Sequence, residues 1–323
     1  MTTTLSRRGL LGPGAAALAL APTFVRAATG GNLEPQPAPP RVENIQNVAN
    51  AQGRLTVETY LNDRGPYQFI VDTGAERSVI AEDIAQTLGL RVSEDVIVQG
   101  IARSLPAKAV QLDTLRMGRV RVNNMPMPLL PRTWLGADGY LGLDAINHQS
   151  VTFDFQNRSL IVQPSVGDGK ILFVEDEAQI RVNGAGGKLT AVNASVDGAR
   201  AYAFIDSGAE ITIGNSNLFA AMQRNGSTYV NDEIIQLLGV TGGAAVGRVA
   251  RIERVKVGSI SFEHSALVIS DLPVFDVWGL ADKPALLIGM NFLRQVSSVT
   301  IDYGRKEIFF KLASALRIAS NRA

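Results

Sequence analysis

The chain has 323 residues, enough for about two ordinary domains, and its 46% hydrophobic and 19% charged residues are typical of a globular protein. Its net charge of +1 provides no field that could hold a nucleic-acid backbone, so we expect no nucleic-acid partner. Cysteine is absent, which excludes disulfides, thiolate catalysis and cysteine-based metal sites.

The N-terminal segment has the pattern of an export signal. Arg7 and Arg8 precede an apolar stretch at 10–21, which is shorter than the roughly 20 residues of a membrane-spanning helix. A small-residue cleavage site ends at Ala27. The paired arginines favour a twin-arginine signal over an ordinary secretory one. Residues 1–27 are therefore predicted to be a signal peptide. The protein is expected to be exported and periplasmic, or membrane-tethered if the signal stays uncleaved.

The rest of the chain is predicted to form two similar lobes of short strands and turns. Helix is predicted only in short pieces, at 82–90 and 216–225. The segment before the lobes is rich in proline and glycine, and we interpret it as a tether rather than an inhibitory pro-segment. The predicted divisions are a linker at 28–50, an N-terminal lobe at 51–163, an interlobe connection at 164–180, a C-terminal lobe at 181–312 and a tail at 313–323.

An internal repeat supports this division. Eight residues of the first lobe recur at one constant spacing in the second, which indicates a duplicated lobe rather than a solenoid. The recurring residues are Gly53, Leu55, Thr56, Asp63, Asp72, Gly74, Ala75 and Glu76, with Gly187, Leu189, Thr190, Asp197, Asp206, Gly208, Ala209 and Glu210 as their counterparts.

A second pair of similar segments closes each lobe, at 139–162 and 286–309. Both run from two apolar residues and a glycine into a short helical pattern and then a strand hairpin. Asp144 and Asn291 lie at equivalent positions near the start of these predicted helices. We therefore interpret them as helix N-caps rather than catalytic residues.

Two aspartates are the candidate catalytic residues. Asp72 lies in "QFIVDTGAERSVI" (68–80) and Asp206 in "YAFIDSGAEITIG" (202–214), each after an apolar strand. A buried carboxylate costs free energy unless it gains partners. Two such groups, one per lobe, can meet across a pseudo-two-fold axis and share one proton. The pair then supplies a general base and a general acid to a water molecule between them.

The residues that follow each aspartate suit this arrangement. The two hydroxyls are expected to hydrogen-bond across the turns, and the glycines to permit close backbone approach and to supply N–H groups near the carboxylates. The predicted supporting residues are Thr73, Gly74, Ala75, Ser207, Gly208 and Ala209.

These motifs resemble those of the retropepsin-like aspartic proteases, in a single-chain, two-lobed form that is also similar to the pepsins. "VDTGA" and "IDSGA" match the catalytic motif of that family, and "YLGLD" and "LIGMN" match its apolar-apolar-Gly motif. The resemblance implies a mainly β fold of two pseudo-symmetric β-barrel lobes with short helices. It also implies peptide-bond hydrolysis by a water activated between Asp72 and Asp206, with no metal or cofactor. The expected partner is a polypeptide substrate, bound as an extended strand between the lobes of a monomer.

The family covers its cleft with β-hairpin flaps, and the segments at 96–104 and 237–245 are the candidates here. Neither contains the tyrosine that pepsins carry on their single flap, so we expect a retropepsin-like pair. The alternative is that the glycines merely form tight hairpin turns. The candidate flap and substrate-binding residues are Gln99, Gly100, Ile101, Gly239, Val240 and Gly242.

The sequence leaves two alternatives to an active endopeptidase of exported proteins or peptides. One is a catalytically inactive peptide-binding protein of the same fold, although the presence of both aspartates and both glycines favours catalysis. The other is that each lobe pairs with a second chain. His148 and His264 are the only histidines, and they lie in different lobes without a ligand-type spacing. Neither a metal site nor a Ser-His-Asp triad is predicted.

Overall fold

The computed structural model describes residues 25–27, 45–47, 50–51, 54–118, 120–165, 177–185, 188–226 and 230–312. Ahead of the first lobe it contains two short strands, β1 (Val25–Ala27) and β2 (Ile45–Asn47). Most of the predicted signal peptide and linker, part of the interlobe connection, and the predicted tail lie outside the described residues. Within those ranges, no helix has both the length and the apolar character needed to cross a membrane.

The N-terminal lobe is a barrel of short strands. The order β4-β5-β10-β6-β9-β8 closes on itself, because β8 also pairs with β4. The elements of this lobe are β3 (Asn50–Ala51), β4 (Arg54–Leu61), β5 (Arg64–Val71), β6 (Val79–Ala81), α1 (Glu82–Leu88), β7 (Val92–Gln99), β8 (Ser104–Met117), β9 (Val120–Leu130), α2 (Arg132–Leu135), β10 (Gly139–Leu141) and α3 (Leu143–Ile146).

Strand β5 leads the chain from the surface into the core of this barrel. The β4–β5 hairpin turns at Asn62 and Asp63, whose φ angles of 47° and 60° lie in the left-handed region that these residue types tolerate. The strand is exposed at Arg64 and buried at its end, where it lies between antiparallel β4 and parallel β10. The residue after its last buried position is Asp72.

The C-terminal lobe repeats this arrangement. The order β14-β15-β20-β16-β19-β18 forms a second closed ring, because β18 also pairs with β14. The remaining elements of the chain are β11 (Gln149–Asp154), β12 (Ser159–Pro164), β13 (Glu177–Ala185), β14 (Lys188–Val196), β15 (Ala199–Ile205), β16 (Ile213–Gly214), α4 (Ser216–Arg224), β17 (Val230–Leu238), β18 (Ala244–Val257), β19 (Ile260–Ile269), α5 (Pro273–Val277), β20 (Ala285–Ile288), α6 (Met290–Leu293), β21 (Ser298–Asp302) and β22 (Glu307–Lys311).

The lobes are joined by a shared sheet with the order β13-β22-β21-β11-β12-β2. Strands β11 and β21 occupy equivalent positions in the two repeats, and they pair antiparallel at its centre with Thr152 opposite Thr300. Their hydroxyl oxygens lie 2.8 Å apart. Because equivalent residues of the two repeats meet here, this contact marks the pseudo-two-fold axis of the molecule.

Most of the buried apolar side chains form one continuous cluster through both barrels and the shared sheet, with Phe69, Phe153 and Phe262 among its largest members. A second cluster lies in the C-terminal lobe around Phe204 and Phe275. This architecture confirms the predicted fold class of two β-barrel lobes with short helices. Helices α1 and α4 confirm the predicted helices at 82–90 and 216–225 to within two residues.

Candidate active site

The two candidate aspartates lie at equivalent barrel ends that face each other. Each follows the last residue of a buried strand, and its backbone N–H donates to the neighbouring parallel strand: Asp72 to the Leu141 oxygen (2.9 Å) and Asp206 to the Ile288 oxygen (3.0 Å). Each carboxyl group packs against the glycine of the opposite turn. A Cβ added to Gly208 would lie 2.5 Å from the Asp72 carboxyl carbon, and one added to Gly74 would lie 2.8 Å from that of Asp206.

The hydroxyl residues next to the aspartates connect the two turns. Thr73 Oγ1 donates to the Ile205 oxygen (2.8 Å), and Ser207 Oγ donates to the Val71 oxygen (2.7 Å). Each hydroxyl also accepts a backbone N–H of the other lobe, from Ser207 at 3.0 Å and from Thr73 at 3.2 Å. These four reciprocal hydrogen bonds are buried. They fix the position of one turn against the other, as the sequence led us to expect.

Each carboxylate also accepts two backbone hydrogen bonds from its own turn through a single oxygen. The donors are Gly74 (2.9 Å) and Ala75 (3.1 Å) to Asp72 Oδ1, and Gly208 (2.8 Å) and Ala209 (3.2 Å) to Asp206 Oδ1. The second oxygen of each carboxyl group takes no part in these bonds. All six predicted supporting residues therefore surround the pair, and their part in a reaction remains a prediction.

The environment of Asp206 disfavours its charged form. Burial and the adjacent charge of Asp72 raise the pKa of Asp206 well above its ordinary value, although the N–H groups of Gly208 and Ala209 lower it in part. Asp206 is buried, whereas Asp72 is partly exposed to the cleft. Such a pair holds one proton and titrates as a unit.

A cleft of about 460 Å³ lies over the pair. Most of the side chains along the cleft are apolar. Besides the two aspartates, its charged residues are Glu76, Arg77 and Glu94, all from the N-terminal lobe. Representative apolar residues along the cleft are Val79, Ile97, Tyr140, Val240, Val274 and Trp278. A mainly apolar cavity with a few convergent polar groups is typical of a substrate-binding site.

Two hairpins cover this cleft, β7–β8 from the N-terminal lobe and β17–β18 from the C-terminal lobe. Four of the candidate flap residues, Gln99, Gly100, Ile101 and Val240, line the cleft. Gly239 and Gly242 instead lie at the contact with the other lobe. Contact of any of these residues with a substrate remains a prediction.

The tips of the two hairpins are joined by a set of contacts that sequence reasoning missed. Arg103 Nε donates to the Thr241 oxygen (2.9 Å), and Thr241 Oγ1 donates to the Arg103 oxygen (2.9 Å). The Arg103 guanidinium lies 5.7 Å from the centre of the Trp134 ring, and a Cβ on Gly242 would lie 2.7 Å from that ring. We call these contacts of Arg103, Thr241, Gly242 and Trp134 the flap latch. Arg103, Trp134 and the adjacent residues Thr241 and Gly242 come from three separate parts of the sequence that follow no shared period, so no sequence pattern predicts their contact.

The interpretation of Asp144 and Asn291 as helix N-caps is wrong. The capping positions are Gly142 and Gly289, which have no side chain to make a capping hydrogen bond. Asp144 and Asn291 therefore lie within the first turn of their helices. A true side-chain cap exists at Asn215, which accepts the Leu218 N–H at 2.9 Å. The Asp144 carboxylate instead accepts hydrogen bonds from Ser78, and the Asn291 amide oxygen accepts them from Thr212, in the segments that follow the turns at 72–76 and 206–210.

Comparison with known proteins gives one family-level result. A family model described as aspartyl protease matches residues 57–145 and 192–292, which together make up more than half of the chain. Each matched region contains one aspartate of the pair together with its apolar-apolar-Gly segment. A search of curated proteins found no match.

Proposed function

The chain belongs to the aspartyl protease family, and from this premise we propose that it is an endopeptidase that hydrolyses peptide bonds with a water activated between Asp72 and Asp206. The observation that carries the proposal is the geometry of the pair. Two carboxyl groups from equivalent turns each abut the glycine of the other turn, at the floor of a cleft. A shared proton makes one group a base and the other an acid.

The proposed reaction follows from this asymmetry. Because burial disfavours the charged form of Asp206, the resting pair holds its proton there and Asp72 acts as the base. Asp72 takes a proton from water while the water oxygen bonds to the scissile carbonyl carbon, and Asp206 protonates the carbonyl oxygen. The tetrahedral intermediate then collapses with cleavage of the C–N bond. Asp72 donates its proton to the leaving nitrogen, and Asp206 takes a hydroxyl proton from the diol as the carboxylic acid forms, so the single proton of the pair is again on Asp206.

The proposed substrate is a flexible polypeptide segment that lies extended beneath the two hairpins. Support for this comes from the shape and lining of the cleft, since an extended chain presents alternate side chains to its two walls. Both aspartates belong to one chain, which supports activity as a monomer. We further propose that the substrates are exported proteins or peptides, on the basis of the signal-like pattern at 1–27.

The proposal is tested by assaying the purified chain on a mixed peptide library from acidic to neutral pH. We expect cleavage by the wild type, and a loss of at least about 1,000-fold for Asp72→Asn and for Asp206→Asn, since each removes one half of the acid–base pair. Asp154→Asn is the matched control, because Asp154 only closes a hairpin turn with Asn157 and should keep full activity.

Two outcomes would contradict the proposal. Activity close to the wild-type level in either Asp72→Asn or Asp206→Asn would exclude the assigned mechanism. Wild-type protein that binds peptides in this pH range without cleaving them would favour the inactive peptide-binding alternative. The molecular mass of the protein in solution distinguishes an active monomer from a dimer in which each lobe pairs with a second chain.

A further inference from the structure

The two turns that carry the aspartates, at 72–76 and 206–210, are called the catalytic turns. Each is hydrogen-bonded to the segment that follows the apolar-apolar-Gly motif of its own lobe. Two backbone N–H groups of this segment donate to two carbonyl oxygens of the turn, and the pattern is the same in both lobes. The bonds are Leu143 to Ala75 (2.9 Å) and Asp144 to Glu76 (3.2 Å) in the N-terminal lobe, and Met290 to Ala209 (2.8 Å) and Asn291 to Glu210 (3.1 Å) in the C-terminal lobe. The segment therefore holds the turn from below.

In the N-terminal lobe a carboxylate completes this support. The Ser78 N–H donates to both carboxylate oxygens of Asp144 (2.9 and 3.0 Å), and Ser78 Oγ donates to Asp144 Oδ1 at 2.6 Å. The same hydroxyl accepts the Gly142 N–H at 3.0 Å. Ser78 is buried and follows the catalytic turn, so Asp144 fixes the point at which the turn re-enters the barrel.

In the C-terminal lobe an amide takes the same place. Thr212 donates to Asn291 Oδ1 from its backbone N–H (2.9 Å) and from its hydroxyl (2.7 Å). The hydroxyl in turn accepts the Gly289 N–H at 3.0 Å. The hydrogen bonds around Asp144 and those around Asn291 are thus equivalent in the two lobes, with one exception. The Ser78 N–H also donates to the second oxygen of Asp144. The two residues differ in chemistry, because the carboxyl group titrates and the amide does not.

The charged groups around Asp144 are few and come from defined elements. Burial raises the pKa of Asp144 above the ordinary value of an aspartate, while hydrogen bonds from Ser78 and the charge of Arg77 lower it in part. Arg77 lies in the same loop as Ser78 and also approaches Glu94 of strand β7, at 4.0 Å. Glu76 contributes its backbone oxygen to the Asp144 N–H. Arg77 therefore interacts electrostatically with two carboxylates, those of Asp144 and Glu94.

We propose that Asp144 is a positioning residue that makes the N-terminal catalytic turn responsive to pH, while Asn291 holds the C-terminal turn independently of pH. A carboxylate accepts hydrogen bonds at both oxygens, whereas a protonated carboxyl group must turn one oxygen into a donor. Since the Ser78 N–H donates to both oxygens, protonation of Asp144 removes one of these contacts and on this account favours the charged form. Burial favours the neutral form and is the larger effect, so the net result is a raised pKa of Asp144. The catalytic consequence rests on the proposed peptidase function; the structural one does not.

The first test measures the free energy of unfolding against pH and requires no activity. Asp144→Asn places an amide in the N-terminal lobe where the C-terminal lobe has Asn291. Asn291→Asp places a carboxyl group in the C-terminal lobe where the N-terminal lobe has Asp144. A folded-state pKa above the unfolded value means that the folded protein binds the proton more tightly. Stability due to Asp144 is thus full below the unfolded-state pKa and is lost as the pH rises through the folded-state pKa.

We therefore expect Asp144→Asn to gain stability relative to wild type as the pH rises from about 3 to about 7, and Asn291→Asp to lose it over the same range. Asp154→Asn, at an exposed turn, serves as the control for removing a carboxylate. A difference between Asp144→Asn and wild type that stays constant with pH would overturn the proposal, even if every variant folds normally.

The second test asks whether the turn transmits this titration to the reaction. We expect Asp144→Asn to shift the acid limb of the kcat/KM profile by at least a few tenths of a pH unit, with a smaller change in the plateau. Ser78→Ala removes the hydroxyl contact but keeps the carboxyl group, so it should leave the acid limb dependent on Asp144. Adding Asp144→Asn to Ser78→Ala should then abolish that dependence as Asp144→Asn does alone. Superimposable profiles would refute the catalytic part. Wild-type protein without peptidase activity would refute the proposed function and leave the unfolding test intact.

Discussion

Two glycines show how closely the catalytic turns approach each other. Gly208 has no positive φ, so an alanine there costs little in backbone conformation, but its Cβ would meet the Asp72 carboxyl group at 2.5 Å. Real Cβ atoms do not approach other heavy atoms so closely. The turn or the carboxyl group would have to move, and the lobes at this point are held by four buried hydrogen bonds.

Gly208→Ala is therefore expected to reduce kcat/KM by at least about 100-fold and to destabilise the fold by about 1–3 kcal/mol, as overpacking does. Gly89→Ala is the matched control, because Gly89 has a φ of 67° and open space around its Cβ position. That variant should lose about 1 kcal/mol of stability with unchanged activity. Peptide-cleavage kinetics and urea unfolding measure both quantities, and full activity in Gly208→Ala would contradict the described geometry.

Sequence reasoning at this scale succeeded where a motif occurs twice. The repeated Asp-(Thr/Ser)-Gly triplets identified the carboxyl pair and its hydroxyl bridge, because duplication requires the two copies to occupy equivalent places. It failed for Asp144 and Asn291, where position near a predicted helix start suggested a cap. Whether a polar side chain caps its own helix or binds a neighbouring loop depends here on a shift of two residues in where the helix begins, from Asp144 to Gly142 and from Asn291 to Gly289, and the sequence does not specify that shift.

At the scale of elements, the flap latch joins the two hairpins above the cleft, and the two lobes contribute different residues to it. The C-terminal tip contributes Thr241 and Gly242, while the N-terminal lobe contributes Arg103 from its hairpin and Trp134 from α2. Thr241 is fully buried by these contacts. Under the proposed function a peptide must separate the tips to reach the pair, so we expect the latch to set how often the cleft opens.

Arg103→Ala should weaken the latch by removing one hydrogen bond and one cation–π contact. These are worth about 1 and about 0.5–1 kcal/mol, respectively, so amide hydrogen exchange in the tips at 100–103 and 239–243 should become roughly 10-fold faster. Arg116→Ala is the matched control, because Arg116 stacks on Tyr60 in the barrel, away from the tips (4.1 Å). Unchanged exchange at both tips would show that the latch does not hold them.

The elements themselves were predictable in proportion to their length. The hairpins and the helices at 82–90 and 216–225 carry enough residues to show a period, and the structure contains them. Strands as short as β16 and β10 cannot show one. These short strands nevertheless connect the longer strands within each barrel, because β10 joins β5 to β6 and β16 joins β20 to β19, each through one parallel and one antiparallel pairing. The duplication predicted two lobes, but the ring closure depends on long-range pairings.

At the scale of the whole molecule, the lobes are joined at two levels. The shared sheet places Thr152 against Thr300 on the pseudo-axis, and the catalytic turns exchange hydrogen bonds above it. The repeat in the sequence anticipated the symmetry. It did not indicate that strands of both lobes form one continuous sheet, because pairing across equivalent strands leaves no trace in the order of residues along the chain.

The contact between the two lobes makes the protonation of Asp72 and Asp206 a determinant of stability, independently of the proposed chemistry. Burial and the charge of Asp72 raise the pKa of Asp206 in the folded protein, so the folded state binds its proton more tightly than the unfolded chain does. The stability that this proton contributes is present below the unfolded-state pKa and is lost as the pH rises through the folded-state pKa. The seam between the lobes should therefore be most stable in acid, where the pair is protonated.

Asp206→Asn removes this titration while keeping the shape of the side chain. Relative to wild type, the variant should gain unfolding free energy as the pH rises from about 4 to about 8, with the largest gain at the alkaline end. Urea unfolding across that range measures the difference, with Asp154→Asn as the control that removes a carboxylate that is not part of the pair and that closes a hairpin turn with Asn157. A pH-independent difference would mean that the two carboxyl groups do not share a proton in the folded protein. The lobes would then be held together without any electrostatic cost from the pair at their junction.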